Sequence, residues 1–69
     1  MLNEVRIGEV YYHYKNRKPY KVVDLNVMIQ KNGKWYPAVI YEPLDSEKRP
    51  VKIKYVREMK EFMKKFSEK

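Results

Sequence analysis

The sequence of 69 residues contains no cysteine, a single histidine and only two glycines. Without cysteine no disulfide can form, and one histidine cannot complete a four-ligand zinc site of nitrogen and sulfur donors. Two glycines are too few for a glycine-rich loop that cradles phosphates. We therefore expect no metal ion and no cofactor, and the absence of cysteine is typical of a reducing cytoplasm.

Long apolar runs are also missing. None approaches the roughly 18 residues that a membrane span requires, and the first ten residues lack the apolar segment of a secretory signal. A chain of this length is predicted to form a single domain over residues 1–69. Such a domain buries only about 60% of the surface of its unfolded chain, which favours a homo-oligomer, dimeric or larger.

Four segments have the composition or the alternation of β-strands, and together they place the strands within about residues 10–55. The segments are residues 10–14, 20–29, 34–41 and 51–55. In the second segment, Val23 and Leu25 begin an alternating apolar row that continues to Ile29 and predicts one buried face. In the fourth, alternation predicts that Val51, Ile53 and Tyr55 point inward.

Local signals connect these strands and end them. Asn32-Gly33 predicts a tight hairpin turn, because both residues tolerate positive φ. Pro37 cannot donate a ladder hydrogen bond, so the third strand should have an exposed edge or a bulge there. The period then changes to that of an amphipathic helix over about residues 57–66, packed in the core or forming a dimer seam. The apolar residues of its stripe are Met59, Phe62, Met63 and Phe66.

The element order β-β-β-β-α predicts a mostly β fold with one C-terminal α-helix, a small SH3-like antiparallel half barrel. Sixteen Lys and Arg residues against nine Asp and Glu give a net charge of +7. Tyrosines interleave with this charge. Lysine and arginine neutralise phosphates, and tyrosine stacks on bases, so the composition indicates an anionic, aromatic ligand. A solvated basic surface with structurally packed tyrosines is the alternative.

Catalysis is poorly supported by the residues present. The sequence has no nucleophile-elbow, P-loop or dinucleotide-binding motif, and no carboxylate pair at a spacing suited to acid–base work. His13 between two tyrosines is the one conventional general base. We therefore predict that the protein is not an enzyme.

Residues 8–22, GEVYYHYKNRKPYKV, resemble the opening of the family known as domain of unknown function 1653. Family members begin with a glycine, then a tyrosine, one residue, His-Tyr-Lys-Gly and Tyr-x-Val; Asn16 replaces the second glycine here. Val39-Ile40-Tyr41 and Tyr55-Val56-Arg57 resemble two later family segments. This chain differs in its middle, where Met28-Ile29-Gln30-Lys31 replaces a His-Ser-Glu-Thr stretch, and in Glu58, which replaces a proline.

The resemblance implies a fold and a pocket rather than a reaction. A looser likeness, of architecture only, is to small homo-oligomeric proteins with which bacteriophages sequester nucleotide immune signals. The first interpretation is thus a non-enzymatic, cytoplasmic protein that sequesters an anionic nucleotide-type molecule, acting in the host cytoplasm as an anti-defence sponge if phage-encoded. An SH3-like nucleic-acid-binding module and a protein-interaction module are the alternatives.

In this interpretation Arg57 clamps a phosphate with its planar fork of donors, tyrosines stack on the base, and His13 hydrogen-bonds the ribose or the base. The predicted ligand-binding residues are His13, Tyr14, Lys15, Tyr55, Arg57, Tyr11 and Tyr41.

Overall fold

The computed structural model describes residues 2–68 as one antiparallel sheet with a short helix. In chain order the elements are β1 (Val10–His13), β2 (Pro19–Lys31), β3 (Lys34–Pro43), β4 (Tyr55–Glu58), α1 (Met59–Lys65) and β5 (Phe66–Ser67). The strand order across the sheet is β4-β3-β2-β1-β5, and every neighbouring pair is antiparallel. The predicted fold class is confirmed. The helix found in residues 2–68 is not long and apolar enough to cross a membrane.

The β2–β3 hairpin forms where the sequence predicts it. Asn32 and Gly33 have φ values of 52° and 79°, so the turn has positive φ at both central residues, as a type I′ hairpin requires. Pro37 lies one residue beyond Ala38, the last β3 residue that pairs with β4. The missing N–H of Pro37 therefore falls where β3 has passed the end of the β4 ladder, which agrees with the expected open edge.

Two register shifts interrupt the alternation predicted for β2. Between Val22 and Val27, β2 contains two more residues than the stretch of β3 with which it pairs. Each extra residue changes which side chains face the core. As a result Val22 is fully buried and Val23 only half-buried. The predicted inward row beginning at Val23 was wrong at its N-terminal end, because alternation in the sequence does not reveal a bulge.

The fourth strand lies further along the chain than predicted. Residues 51–54 form no strand, and all three residues predicted to point inward, Val51, Ile53 and Tyr55, are exposed. β4 instead continues to Glu58, which pairs with Ala38, and the backbone is still extended there. The ladder to β3 overrides the helical period at this point, so α1 begins at Met59 and Arg57 lies in a strand.

A fifth strand follows the helix, and the sequence did not indicate it. The backbone becomes extended at Phe66, and this residue pairs with His13 of β1. Phe62 and Phe66 are buried, while Met59 and Met63 pack against the same cluster from its edge. The apolar stripe of α1 therefore packs against the core of its own chain.

The core is built around two stacked phenyl rings. Phe62 and Phe66 lie with their centroids 4.0 Å apart and nearly parallel. Tyr11 and Tyr41 approach Phe62 edge-on at 5.9 and 5.1 Å. The other buried residues of the cluster are Leu2, Val22 and Val39. This cluster holds the helix α1 against the sheet and fixes the positions of the neighbouring strands.

Candidate ligand-binding pocket

A pocket of about 190 Å³ opens where the end of β1 meets β5 and where β3 meets β4. The β1–β5 pair brings the N-terminal hairpin to this place, and the β3–β4 ladder brings Tyr55 and Arg57. The residues that line it are His13, Asn16, Tyr20, Tyr41, Tyr55, Arg57 and Phe66. Five of the seven side chains are aromatic rings, and the only formal charge on the lining is the arginine.

Arg57 is held in a defined orientation at the pocket wall. Its Nε donates a hydrogen bond to the hydroxyl of Tyr41 at 3.1 Å. Its Nη1 lies 3.3 Å from a carboxylate oxygen of Glu61, which belongs to the first turn of α1, and its guanidinium lies 5.8 Å from the ring centre of Phe66. These contacts leave Nη2 without a partner among residues 2–68. The guanidinium of Arg57 is thus held in place through Nε and Nη1, while Nη2 can still donate hydrogen bonds to a ligand.

His13 is a neutral imidazole near pH 7 that lines the pocket. The backbone N–H of Lys15 donates to His13 Nδ1 at 3.1 Å, so the neutral ring carries its proton on Nε2. Its ring meets Phe66 edge-on at 5.0 Å. Partial burial lowers the pKa of His13, and the positive charges of Arg57, Lys65 and Lys15 lower it further. Three cations therefore contribute positive potential at His13, and Arg57 is the one of them that lines the pocket.

The histidine supplies a direct measurement of that environment. Because His13 is the chain's only histidine, its proton resonances are unambiguous, and we expect an NMR titration midpoint below the ordinary value of 6.5. The unfolded chain then binds more protons than the folded one, so the free energy of unfolding falls as the pH drops below 6.5. Arg57→Gln should raise the midpoint only partway, since burial is the larger cause. A midpoint at or above 6.5 in the native protein would contradict this account.

Three tyrosines form the aromatic side of the pocket. The ring of Tyr20 lies 5.6 Å from Tyr41 and 6.4 Å from Tyr55, and the last two lie 5.7 Å apart. Asn16 Nδ2 donates to the Tyr20 hydroxyl at 3.2 Å. A cluster of rings can hold a cation by its π-faces. Arg57 in the wall and the lysines near His13 oppose a cation here, so the arrangement favours an anion bound beside aromatic surfaces.

Four of the seven residues predicted for the site line the pocket: His13, Tyr41, Tyr55 and Arg57. Tyr14 and Lys15 lie beside it, with the exposed Tyr14 ring 5.8 Å from the ammonium groups of both Lys15 and Lys65. Tyr11 lies elsewhere. Its ring is buried in the core, and its hydroxyl accepts a hydrogen bond from the backbone N–H of Arg6. Its ring therefore contacts the core rather than the pocket.

Asn16, Tyr20 and Phe66 also line the pocket and were not predicted. Asn16 stands where the family that this chain resembles has its second glycine, but the positive φ of that turn, 60°, belongs to Arg17. Asn16 stabilises the turn with its side chain instead, accepting the Lys18 N–H at 2.8 Å. Tyr20 is the tyrosine of the Tyr-x-Val step in the family pattern, so the resemblance could have indicated it as a site residue. Phe66 was assigned to the helix, and only the β1–β5 pairing places it here.

The chain matches no protein-family model, and no curated protein or solved structure is significantly similar to it. The resemblance to the family known as domain of unknown function 1653 therefore stays a prediction, and the function has to be argued from the pocket itself.

Proposed function

We propose that this protein binds a small anionic ligand of nucleotide type in the His13–Arg57 pocket and retains it without chemical change. One observation carries the proposal: Tyr41 holds the Arg57 guanidinium at the wall of an aromatic pocket. The partnerless Nη2 can donate to a phosphate oxygen, and charge-assisted hydrogen bonds of this kind are among the strongest in proteins. Lys15 and Lys65 add positive potential at the His13 end.

The size of the pocket limits what can enter it. At about 190 Å³ it is smaller than the roughly 300–1,000 Å³ of sites that enclose drug-sized molecules. It can take a phosphate group or a single ring, while the rest of a nucleotide lies across its mouth. Tyr55, which is 43% exposed, offers a ring face there for stacking a base. The ligand would be partly enclosed, with its anionic end innermost.

Glu61 competes with that ligand for Arg57. Its carboxylate lies 3.3 Å from Arg57 Nη1, and the Glu61 side chain is 46% exposed. An incoming phosphate must share the guanidinium with this carboxylate or displace it. Because an exposed ion pair contributes little stability, displacement costs about 1 kcal/mol or less. Removing the charge of Glu61 should therefore favour the bound state.

The composition of the lining favours retention of the ligand over its chemical conversion. Among the described residues that line the pocket there is no carboxylate, serine or lysine. His13 Nδ1 already accepts the Lys15 N–H, and its low pKa makes the ring a weak base. We accordingly propose sequestration by a cytoplasmic homo-oligomer, in the manner of a phage-encoded anti-defence sponge, as the biological role.

Titration with AMP and adenosine tests the proposal, with calorimetry for affinity and amide NMR for location. We expect AMP to shift resonances of the pocket residues, and adenosine, which lacks the phosphate, to bind at least about tenfold more weakly. Glu61→Gln should bind AMP severalfold more tightly. Glu47→Gln is its matched control, since Glu47 pairs with a different arginine, Arg49, at 2.8 Å. Equal affinity for AMP and adenosine, or shifts confined to another surface, would refute the proposal.

One observation favours the alternative of nucleic-acid binding. Trp35 and Met28 are 59% and 56% exposed near the end of the β2–β3 hairpin, where Lys34 is also exposed. An exposed indole beside lysines can stack on the bases of a single strand. This function would be favoured if oligonucleotide affinity fell steeply with salt and depended on Trp35 rather than on Arg57.

A further inference from the structure

The edge of the sheet at β4 is open. Among residues 2–68, β4 has β3 on one side and no strand on the other. Val56 and Tyr55 on this strand are 54% and 43% exposed. An edge strand carrying exposed apolar residues is a ready template for pairing with another chain.

We propose that a second copy of this chain pairs with β4 in antiparallel fashion across a two-fold axis at Val56. A two-fold axis perpendicular to a continuous sheet places residues of the same facing opposite each other. Centred on Val56, it puts Lys54 opposite the partner's Glu58 and Tyr55 opposite the partner's Arg57. The dimer thereby buries two valines against each other at its centre.

The neighbouring registers are less favourable. An axis at Arg57 would place two guanidinium groups directly opposite each other, and like charges opposite each other destabilise a ladder. An axis at Tyr55 would pair Lys54 with the partner's Val56 and leave the charges unmatched. Only the register at Val56 matches opposite charges on one face and an arginine with an aromatic ring on the other.

Lysines at the edge of a sheet usually discourage pairing, and Lys54 directly precedes β4. Here Lys54 already lies 3.7 Å from Glu42, and Glu58 lies 3.5 Å from Lys31. In the proposed register the partner's Glu58 comes beside Lys54, so a row of four charges alternates in sign across the junction. In that row Lys54 lies between Glu42 and the partner's Glu58, which offsets the repulsion that this lysine would otherwise cause at the edge.

The dimer also extends the pocket. Tyr55 and Arg57 line it, and both lie on the pairing strand. Strand geometry puts the Cα atom of Arg57 about 8 Å from that of the partner's Arg57. If the proposed function holds, the two pockets form one groove for a ligand with two anionic groups, such as a dinucleotide. The dimer itself does not depend on that condition.

Crosslinking tests the register, because the native chain has no cysteine. Val56→Cys should be joined to a second copy by a short bis-maleimide in high yield. Met28→Cys, at an equally exposed position of the hairpin, should give only background crosslinking. In sedimentation, the native protein should have twice the 8.5 kDa mass of one chain. The Val56→Lys variant, which places a charge on the two-fold axis, should have the mass of a single chain.

Val56 pairs with Ile40 and lies on the face opposite to Arg57, so Val56→Lys should still bind AMP as a monomer. A native protein that sediments as a monomer, or equal crosslinking of the two cysteine variants, would overturn the dimer. Absence of AMP binding by a protein that is still dimeric would refute the proposed function alone. The dimer and the proposed function can therefore be refuted independently of each other.

Discussion

Arg57→Ala is expected to weaken AMP binding by at least about thirtyfold, close to 2 kcal/mol or more, because the phosphate then lies in the pocket without its cationic partner. The substitution also removes the hydrogen bond to Tyr41 and the pairing with Glu61. A lost hydrogen bond costs about 0.5–1.5 kcal/mol of stability. Calorimetry should therefore be done well below the melting temperature, with circular dichroism to verify that the variant is folded.

Arg49→Ala is the matched control for this experiment. Arg49 is also ion-paired, with Asp45 and Glu47, but it does not line the pocket. Its removal should leave the affinity unchanged within about twofold, since an exposed pair contributes little. Arg57→Lys should recover only part of the binding, because an ammonium group cannot form two parallel hydrogen bonds. Equal losses in Arg49→Ala and Arg57→Ala would mean that net charge, and not this pocket, attracts the nucleotide.

Phe62→Ala is expected to unfold the protein or nearly so. The Phe62 ring is fully buried, stacks on Phe66 at 4.0 Å and meets Tyr41 edge-on. Removing a buried phenyl ring costs about 3–5 kcal/mol. A domain of this size has little more stability than that in total. Thermal and urea unfolding followed by circular dichroism should show a large loss of stability or no cooperative transition.

Trp35→Ala removes a still larger ring from an exposed position and provides the comparison. With the indole 59% exposed at the hairpin end, its loss should change stability by about 0.5 kcal/mol or less. If both variants lost similar stability, the packing cluster around Phe62 would not be the centre of the fold.

The hairpin turn and the fold class could be read from the sequence because their signals are local. Asn32-Gly33 determines a turn through its own backbone preferences, and the 3.6-residue period around Phe62 identifies a helix wherever it packs. The bulges of β2 are different, since they depend on how two strands fit against one core. No residue type near Val22 announces them.

Part of the pocket lining could be predicted from the sequence for a similar reason. Tyr55 and Arg57 stood out as an aromatic and a cation close together, and the structure does bring them into one lining with His13. Phe66 could not be found, because its place depends on the pairing of β5 with β1, more than 50 residues apart in sequence. Tyr11 was chosen as a tyrosine of the segment that resembles the family, and neither signal distinguishes a tyrosine that packs from one that stacks on a ligand.

That same pairing sets the order in which the chain can fold. The β2–β3 hairpin can form early, because its strands are adjacent in sequence and its turn is preorganised. β1 can gain its second neighbour only after Phe66 has been synthesised, and Tyr11 waits for Phe62 in the same way. Contacts between residues so far apart in sequence form only after a large loop has closed. The conformational entropy lost in closing that loop slows folding. The aromatic core is therefore completed after the hairpin, and the pocket, which needs both the β1–β5 pair and the β3–β4 ladder, would form late in folding.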